Sequence, residues 1–124
     1  MKETIIAQKS YQFALESVQF YKVLREHKVS TIPNQFLRSA TSVGANVQEA
    51  YGSISDREFH SKLSIANKEA RESHYWLLLI RETTDIDSII IDALLHKADE
   101  MIRLLTSATK TLDMRLNGDG NKDG

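Results

Sequence analysis

The sequence predicts an all-α fold, an antiparallel up-down-up-down four-helix bundle, and three observations support this. Apolar residues recur three or four apart along nearly the whole chain, which is the spacing of one helix face. Pro33, the sole proline, and the break at Gly52-Ser53-Ile54 cut that pattern into long segments with short connections. No segment shows the apolar–polar alternation of a half-buried strand. A chain of 124 residues is one domain with room for a single core.

Residues 3–28 make the first predicted helix, with Ile6, Phe13, Leu15, Val18, Tyr21 and Leu24 on its apolar face. Val29-Ser30-Thr31-Ile32 leads into Pro33, and proline disfavours helix in the residue before it while suiting the first turn of the next. The boundary therefore falls near Ser30–Pro33. The second helix runs from Pro33 to Tyr51. Its stripe is small in the middle, where Ala40, Gly44 and Ala45 with Ser39 and Ser42 let another helix come close. So little of its surface is charged that it is expected to be largely enclosed.

Ser55-Asp56-Arg57-Glu58 is a capping box, in which Ser55 accepts from the Glu58 N–H and Glu58 reaches back to the N–H of Ser55. The third helix follows to Thr83, with Phe59, Leu63, Ala66, Ala70, Ser73, Leu77 and Ile80 inward. Asp85 or Asp87 caps a fourth helix that ends near Leu116. The bundle thus occupies residues 1–116. Residues 117–124, NGDGNKDG, have no apolar content and are expected to be a disordered tail.

Sixteen basic and seventeen acidic residues leave a net charge of −1, without the global basic field of an obligate nucleic-acid binder. By segment the charge is +2 for residues 1–30, zero for 31–54 and 55–83, and −3 for 84–124. Cysteine is absent, which removes disulfides and thiolate metal sites. No apolar run is long enough for a membrane span, and MKETIIAQKS lacks the apolar core of a signal peptide. A cytoplasmic protein with no membrane partner and no cofactor is the expectation.

Two stretches carry more apolar surface than one bundle core consumes, Tyr75–Ile80 and Ile89-Ile90-Ile91 with Leu94-Leu95. Consecutive helical residues point 100° apart, so some of them leave the core. Trp76, Leu78, Leu79, Ile90 and Ile91 are the candidate subunit interface.

Arg38, Asn46, Glu49, Glu69 and Glu72 are the candidate polar network. Three carboxylates on neighbouring helices also raise a carboxylate-bridged metal pair, but that chemistry needs Glu-x-x-His on two helices and none occurs. A satisfied ion-pair network is the better reading. Asp56/His60 and Asp92/His96 are i,i+4 pairs of solvated helix surface. Asp119-x-Asn121-x-Asp123-Gly124 matches only the first half of a calcium loop. No nucleophile elbow, Walker loop or dinucleotide fingerprint is present, and no catalytic residue is assigned. For nucleic acid the candidates are Lys9, Lys22, Arg25 and Lys28 of the first helix, with Lys2, and Arg38 of the second. An ordinary solvated face accounts for the same residues.

Gln35-x-x-Arg38-x-Ala40-x-Ser42-Val43-x-Ala45-Asn46-Val47-x-Glu49-Ala50 resembles a known family, together with Phe59-x-x-Lys62-Leu63-x-Ile65-Ala66 and Glu69-Ala70-x-Glu72 before Tyr75-Trp76-Leu77. It is the family of four-helix bundle proteins encoded in intervening sequences of bacterial 23S ribosomal RNA genes. The similarity spans residues 5–116, and Ser42-Val43-x-Ala45-Asn46-x-x-Glu49 is its most specific block. The resemblance implies a ring-shaped homopentamer. It also implies a role around RNA, since a related bundle is the accessory protein of the reverse transcriptase of diversity-generating retroelements. The expectation is a non-enzymatic, oligomeric binding or scaffolding protein whose partners are itself and RNA or a nucleoprotein. A protein-binding adaptor and a carboxylate-metal enzyme are the alternatives.

Overall fold

The computed structural model describes residues 4–27 and 31–122, with side chains through residue 118. Four helices follow one another: α1 (Ile5–Glu26), α2 (Ile32–Ala50), α3 (Asp56–Thr83) and α4 (Ser88–Lys122). Each helix backbone neighbours the next, and α1 meets α4 to close the square. The diagonal pairs stay apart. This is the expected antiparallel four-helix bundle. The α2–α3 pair is the closest of the four and the α1–α4 pair the loosest.

Thr4 caps α1 by accepting from the Ala7 N–H at 3.1 Å, and its hydroxyl donates to Tyr51 Oη at the far end of α2. The buried stripe of α1 is Ser10, Phe13, Ser17, Phe20 and Leu24. Phe13 and Leu24 face inward as expected, but Leu15 does not: it is 41% exposed, and Phe20 fills the core. Leu15 lies two residues from Phe13, about 200° round the helix, so both cannot face inward. Phe20 meets Phe36 of α2 edge to face, with ring centroids 6.0 Å apart.

Pro33 sits in the first turn of α2, where its missing N–H costs nothing. Gly44 explains how α1 and α2 approach. A Cβ built there would lie 3.4 Å from the Ser10 carbonyl oxygen and 3.7 Å from Ala14 Cβ. The inner face of α2 is buried, whereas Ala45 and Gln48 are exposed. Among the described residues the helix packs on α1 and α3, so it is not enclosed within the chain, and Ala45 and Gln48 mark its open side.

Ser55 caps α3 by accepting from the Glu58 N–H at 3.1 Å. Glu58 reaches back to the N–H of Ile54 at 3.4 Å rather than to that of Ser55. The buried stripe of α3 is Leu63, Ala66, Ala70, Ser73, Leu77 and Ile80, as the spacing predicts, while Phe59, expected on the same stripe, is half-buried at the end of the bundle against Tyr51. Small residues permit the tight α2–α3 contact, where the Ser73 hydroxyl meets Ser39 Oγ at 2.9 Å inside the core. Asp87 starts α4 by accepting from the Ile89 N–H at 3.0 Å. The α4 backbone continues to Lys122, past the expected end at Leu116, although its last buried side chain among the described residues is Leu112.

Candidate functional site

Three surfaces of this bundle carry unusual chemistry, and each follows a seam between two helices. The first is polar, on the outside of the α2–α3 seam. Arg38 Nη1 lies 3.2 Å from Glu69 Oε2, and Nη2 pairs with Glu72. Glu69 and Glu72 are three apart on one face of α3, so one guanidinium spans both. Hydrogen bonding to Glu69, with the field of both carboxylates, raises the Arg38 pKa above its ordinary value. Glu69 Oε2 is buried without a hydrogen bond in good geometry, and the nearby guanidinium compensates its charge.

The structure thus joins Arg38, Glu69 and Glu72 but leaves the other two predicted members outside. Glu49 pairs instead with Lys62 at 2.9 Å, and that hydrogen bond raises the Lys62 pKa. Asn46 donates to the Ser42 carbonyl of its own helix at 2.8 Å. Among the described residues no group of three His, Asp or Glu converges with metal-binding spacing. His60 and His74 face α4, at 2.8 Å from Asp113 and 3.6 Å from Asp99 respectively.

The second surface is apolar, along the loose α1–α4 seam. A groove of about 380 Å³ is lined by Phe20 and Val23 of α1 and by Ile89, Ile90, Ala93 and Leu94 of α4. The Lys97–Glu16 ion pair also lines it. Ile89 is 75% and Ile90 44% exposed. Of the residues expected at a subunit contact, Ile90 is therefore on the surface, but Ile91 is 1% exposed and belongs to the core. With α4 starting at Ser88, the inward positions are Ile91, Leu94, Leu95 and Ala98, which turns Ile89 and Ile90 outward.

Trp76, Leu78 and Leu79 are half-buried. Trp76 and Leu78 pack against the core, and Trp76 Nε1 is buried with no hydrogen-bond partner among the described residues. Trp76 and Leu79 share one stripe of α3 and Leu78 lies on another, so these residues do not form one patch with Ile90.

The third surface is cationic. Lys9 is held by Glu100 at 3.0 Å, a bond that lowers the Glu100 pKa, and Arg38 is held by Glu69 and Glu72. Lys22 and Arg25 are exposed without an ion pair among the described residues, and Lys28 and Lys2 lie outside those residues. The predicted basic set is thus scattered and partly neutralised. A cluster that segment charges conceal lies elsewhere, between α3 and α4. There Arg71, Arg103 and Lys110 line one open groove with Ile102, Thr106 and Ser107.

Fold and surface together define a four-helix bundle with an ion-paired α2–α3 seam and an open apolar α1–α4 seam. The family model described as 23S rRNA-intervening sequence protein matches residues 2–107, and the chain belongs to that family. A crystal structure of a protein of unknown function from the S23 ribosomal protein family of Bacteroides thetaiotaomicron is similar, at 38% identity and a TM-score of 0.81. The match covers 86% of this chain and 99% of that one. No curated protein matches. Among the described residues no helix is long and apolar enough to cross a membrane.

Proposed function

We propose that this protein is a non-catalytic helical scaffold that self-associates and holds RNA. The observation that carries the reading is the α1–α4 groove, whose apolar walls and exposed Ile89 and Ile90 are of the kind that a second subunit buries. The flanks of the groove favour a second copy of this chain as the occupant. Exposed Lys22 and Arg25 lie on the α1 side, and exposed Asp85 and Asp87 precede α4 on the other. Opposite charges on the two sides make the groove complementary to another copy of this chain. A homopentamer is the ring that the family resemblance implies.

RNA is the partner class supported by the family's tie to sequences within ribosomal RNA genes. A ring would repeat a weak cationic surface on every copy and raise its avidity without any new contact. Size-exclusion chromatography with light scattering, read at 260 and 280 nm before and after a high-salt wash, tests both halves. The expected result is a multiple of the 14.1 kDa chain mass, with nucleic-acid absorbance that the wash removes. A single-chain mass would overturn the assembly, and a protein-only spectrum before the wash would count against RNA.

A further inference from the structure

We propose that the α3–α4 groove lined by Arg71, Arg103 and Lys110 binds the phosphodiester backbone of single-stranded RNA. This rests on the reading of RNA as partner and names the surface that meets it. The basic residues singled out from sequence lie elsewhere.

Charge is the first ground. Six of the thirteen lysines and arginines whose side chains are described, Lys9, Arg38, Lys62, Arg81, Lys97 and Arg115, each have a carboxylate within 4.0 Å. Arg71, Arg103 and Lys110 have none among the described residues, and no acidic side chain lines their groove of about 460 Å³. Asp99 and Asp113 face His74 and His60, and Glu100, which feels the field of Arg103, is bonded to Lys9.

Hydrogen bonding is the second ground. Thr106 Oγ1 accepts from Asn67 Nδ2 at 3.0 Å and from Arg71 Nη2 at 3.4 Å. Its own O–H has no acceptor among the described residues. Thr41, Thr83, Thr109 and Thr111 each donate to the carbonyl four residues back, so Thr106 is the exception among described helical threonines. The Ser107 hydroxyl likewise has no hydrogen-bond partner among the described residues. The groove therefore presents guanidinium, ammonium and hydroxyl donors with no side-chain carboxylate, and phosphate oxygens are the matching acceptors.

Geometry separates a polyanion from a lone phosphate. Arg103, Ser107 and Lys110 share one face of α4, and Arg103 and Lys110 stand about 10.5 Å apart along its axis. That separation is too wide for one phosphate group and suits two phosphates of the same strand that are not adjacent. Tyr75 lies one turn beyond Arg71 on α3, with its ring edge to face against Trp76 at 5.1 Å and 53% of the residue exposed, which leaves ring surface for a base to stack on.

The test is fluorescence anisotropy with a labelled single-stranded RNA of mixed sequence, titrated over a series of salt concentrations. Arg103→Gln/Lys110→Gln should weaken binding tenfold or more. Removing two phosphate contacts should also flatten the dependence of log affinity on log salt by about 1.4. Lys62→Gln, which removes a cation already paired with Glu49 on the α2–α3 side, should stay within threefold of the unmodified protein. Tyr75→Ala should weaken binding several-fold with the salt slope unchanged. If the groove variant binds as the unmodified protein does, the groove is overturned and the RNA reading stands. If the unmodified protein binds no RNA even at low salt, both fall. Arg103 and Lys110 are exposed, and matching thermal melts and light-scattering masses exclude misfolding.

Discussion

Replacing Gly44 tests the α1–α2 contact in both directions. An alanine Cβ there meets the Ser10 carbonyl oxygen at 3.4 Å, Ala14 Cβ at 3.7 Å and the Ser10 carbonyl carbon at 3.8 Å, all tolerable contacts. Gly44→Ala therefore keeps the packing and gains helix propensity, a stabilisation of about 0.5–1 kcal/mol. For a domain of this size that raises Tm by roughly 2–5 °C. Leucine must place three more carbons beside the Ser10 backbone, which cannot rotate away as a side chain would. The groove of about 370 Å³ outside Gly44, lined by Tyr11, Thr41 and Gln48, gives its methyls partial room. The expected cost of Gly44→Leu is about 1–3 kcal/mol, as for other overpacked contacts. Paired thermal and urea melts read the result. A Gly44→Leu protein that melts with the unmodified chain would show that α1 and α2 do not close at this point. An alanine variant that loses stability would show a tighter approach than the distances describe.

Ser73→Leu forces a large side chain into the buried Ser39–Ser73 contact and should cost about 1–3 kcal/mol by urea melt; an unchanged midpoint would refute the close α2–α3 approach there. Glu49→Gln should leave the urea midpoint close to that of the unmodified protein, because its pair with Lys62 is exposed; a clear loss would place Glu49 in the buried network after all. The Lys9–Glu100 pair predicts an acid-dependent increment. The Glu100 pKa lies lower in the folded chain than its ordinary 4.5, so the pair's small contribution is present above that pH and is lost as pH falls through the folded value. Lys9→Met should therefore lower Tm slightly at pH 7 and not at pH 2, and an equal drop at both would refute the pairing.

Helix positions and the α3 stripe were legible because Pro33, Ser55 and the spacing of Leu63, Ala66, Ala70, Ser73, Leu77 and Ile80 are local signals. What was not legible depends on phase or on pairing across helices. Leu15 and Phe20 are both apolar, and only the fixed inward direction of Phe13 decides between them. The run Ile89-Ile90-Ile91 has no internal cue to its inward member until the start of α4 sets the register. Scarcity of charge on α2 suggested enclosure, but a bundle of four gives that helix two neighbours and leaves Ala45 and Gln48 outside. Arg38, Glu69 and Glu72 were recognisable as charges that would pair across neighbouring helices, but Asn46 and Glu49, grouped with them, fall outside that cluster. Lys62, the partner of Glu49, was not recognisable, since that contact needs the α2–α3 register. Charge summed by segment hid Arg71 in a neutral helix and Arg103 and Lys110 in an acidic one. Their convergence exists only once α3 and α4 are side by side.

Self-association through the α1–α4 groove is the central claim, and light scattering of the unmodified protein beside Ile89→Glu/Ile90→Glu tests it most directly. Both isoleucines are exposed, so the double variant should fold with an unchanged helical spectrum. The account predicts a mass several times 14.1 kDa for the unmodified chain, fivefold for a pentameric ring, and a single-chain mass for the variant. A unit mass for the unmodified chain at micromolar concentration, or an undiminished assembly in the variant, would contradict it.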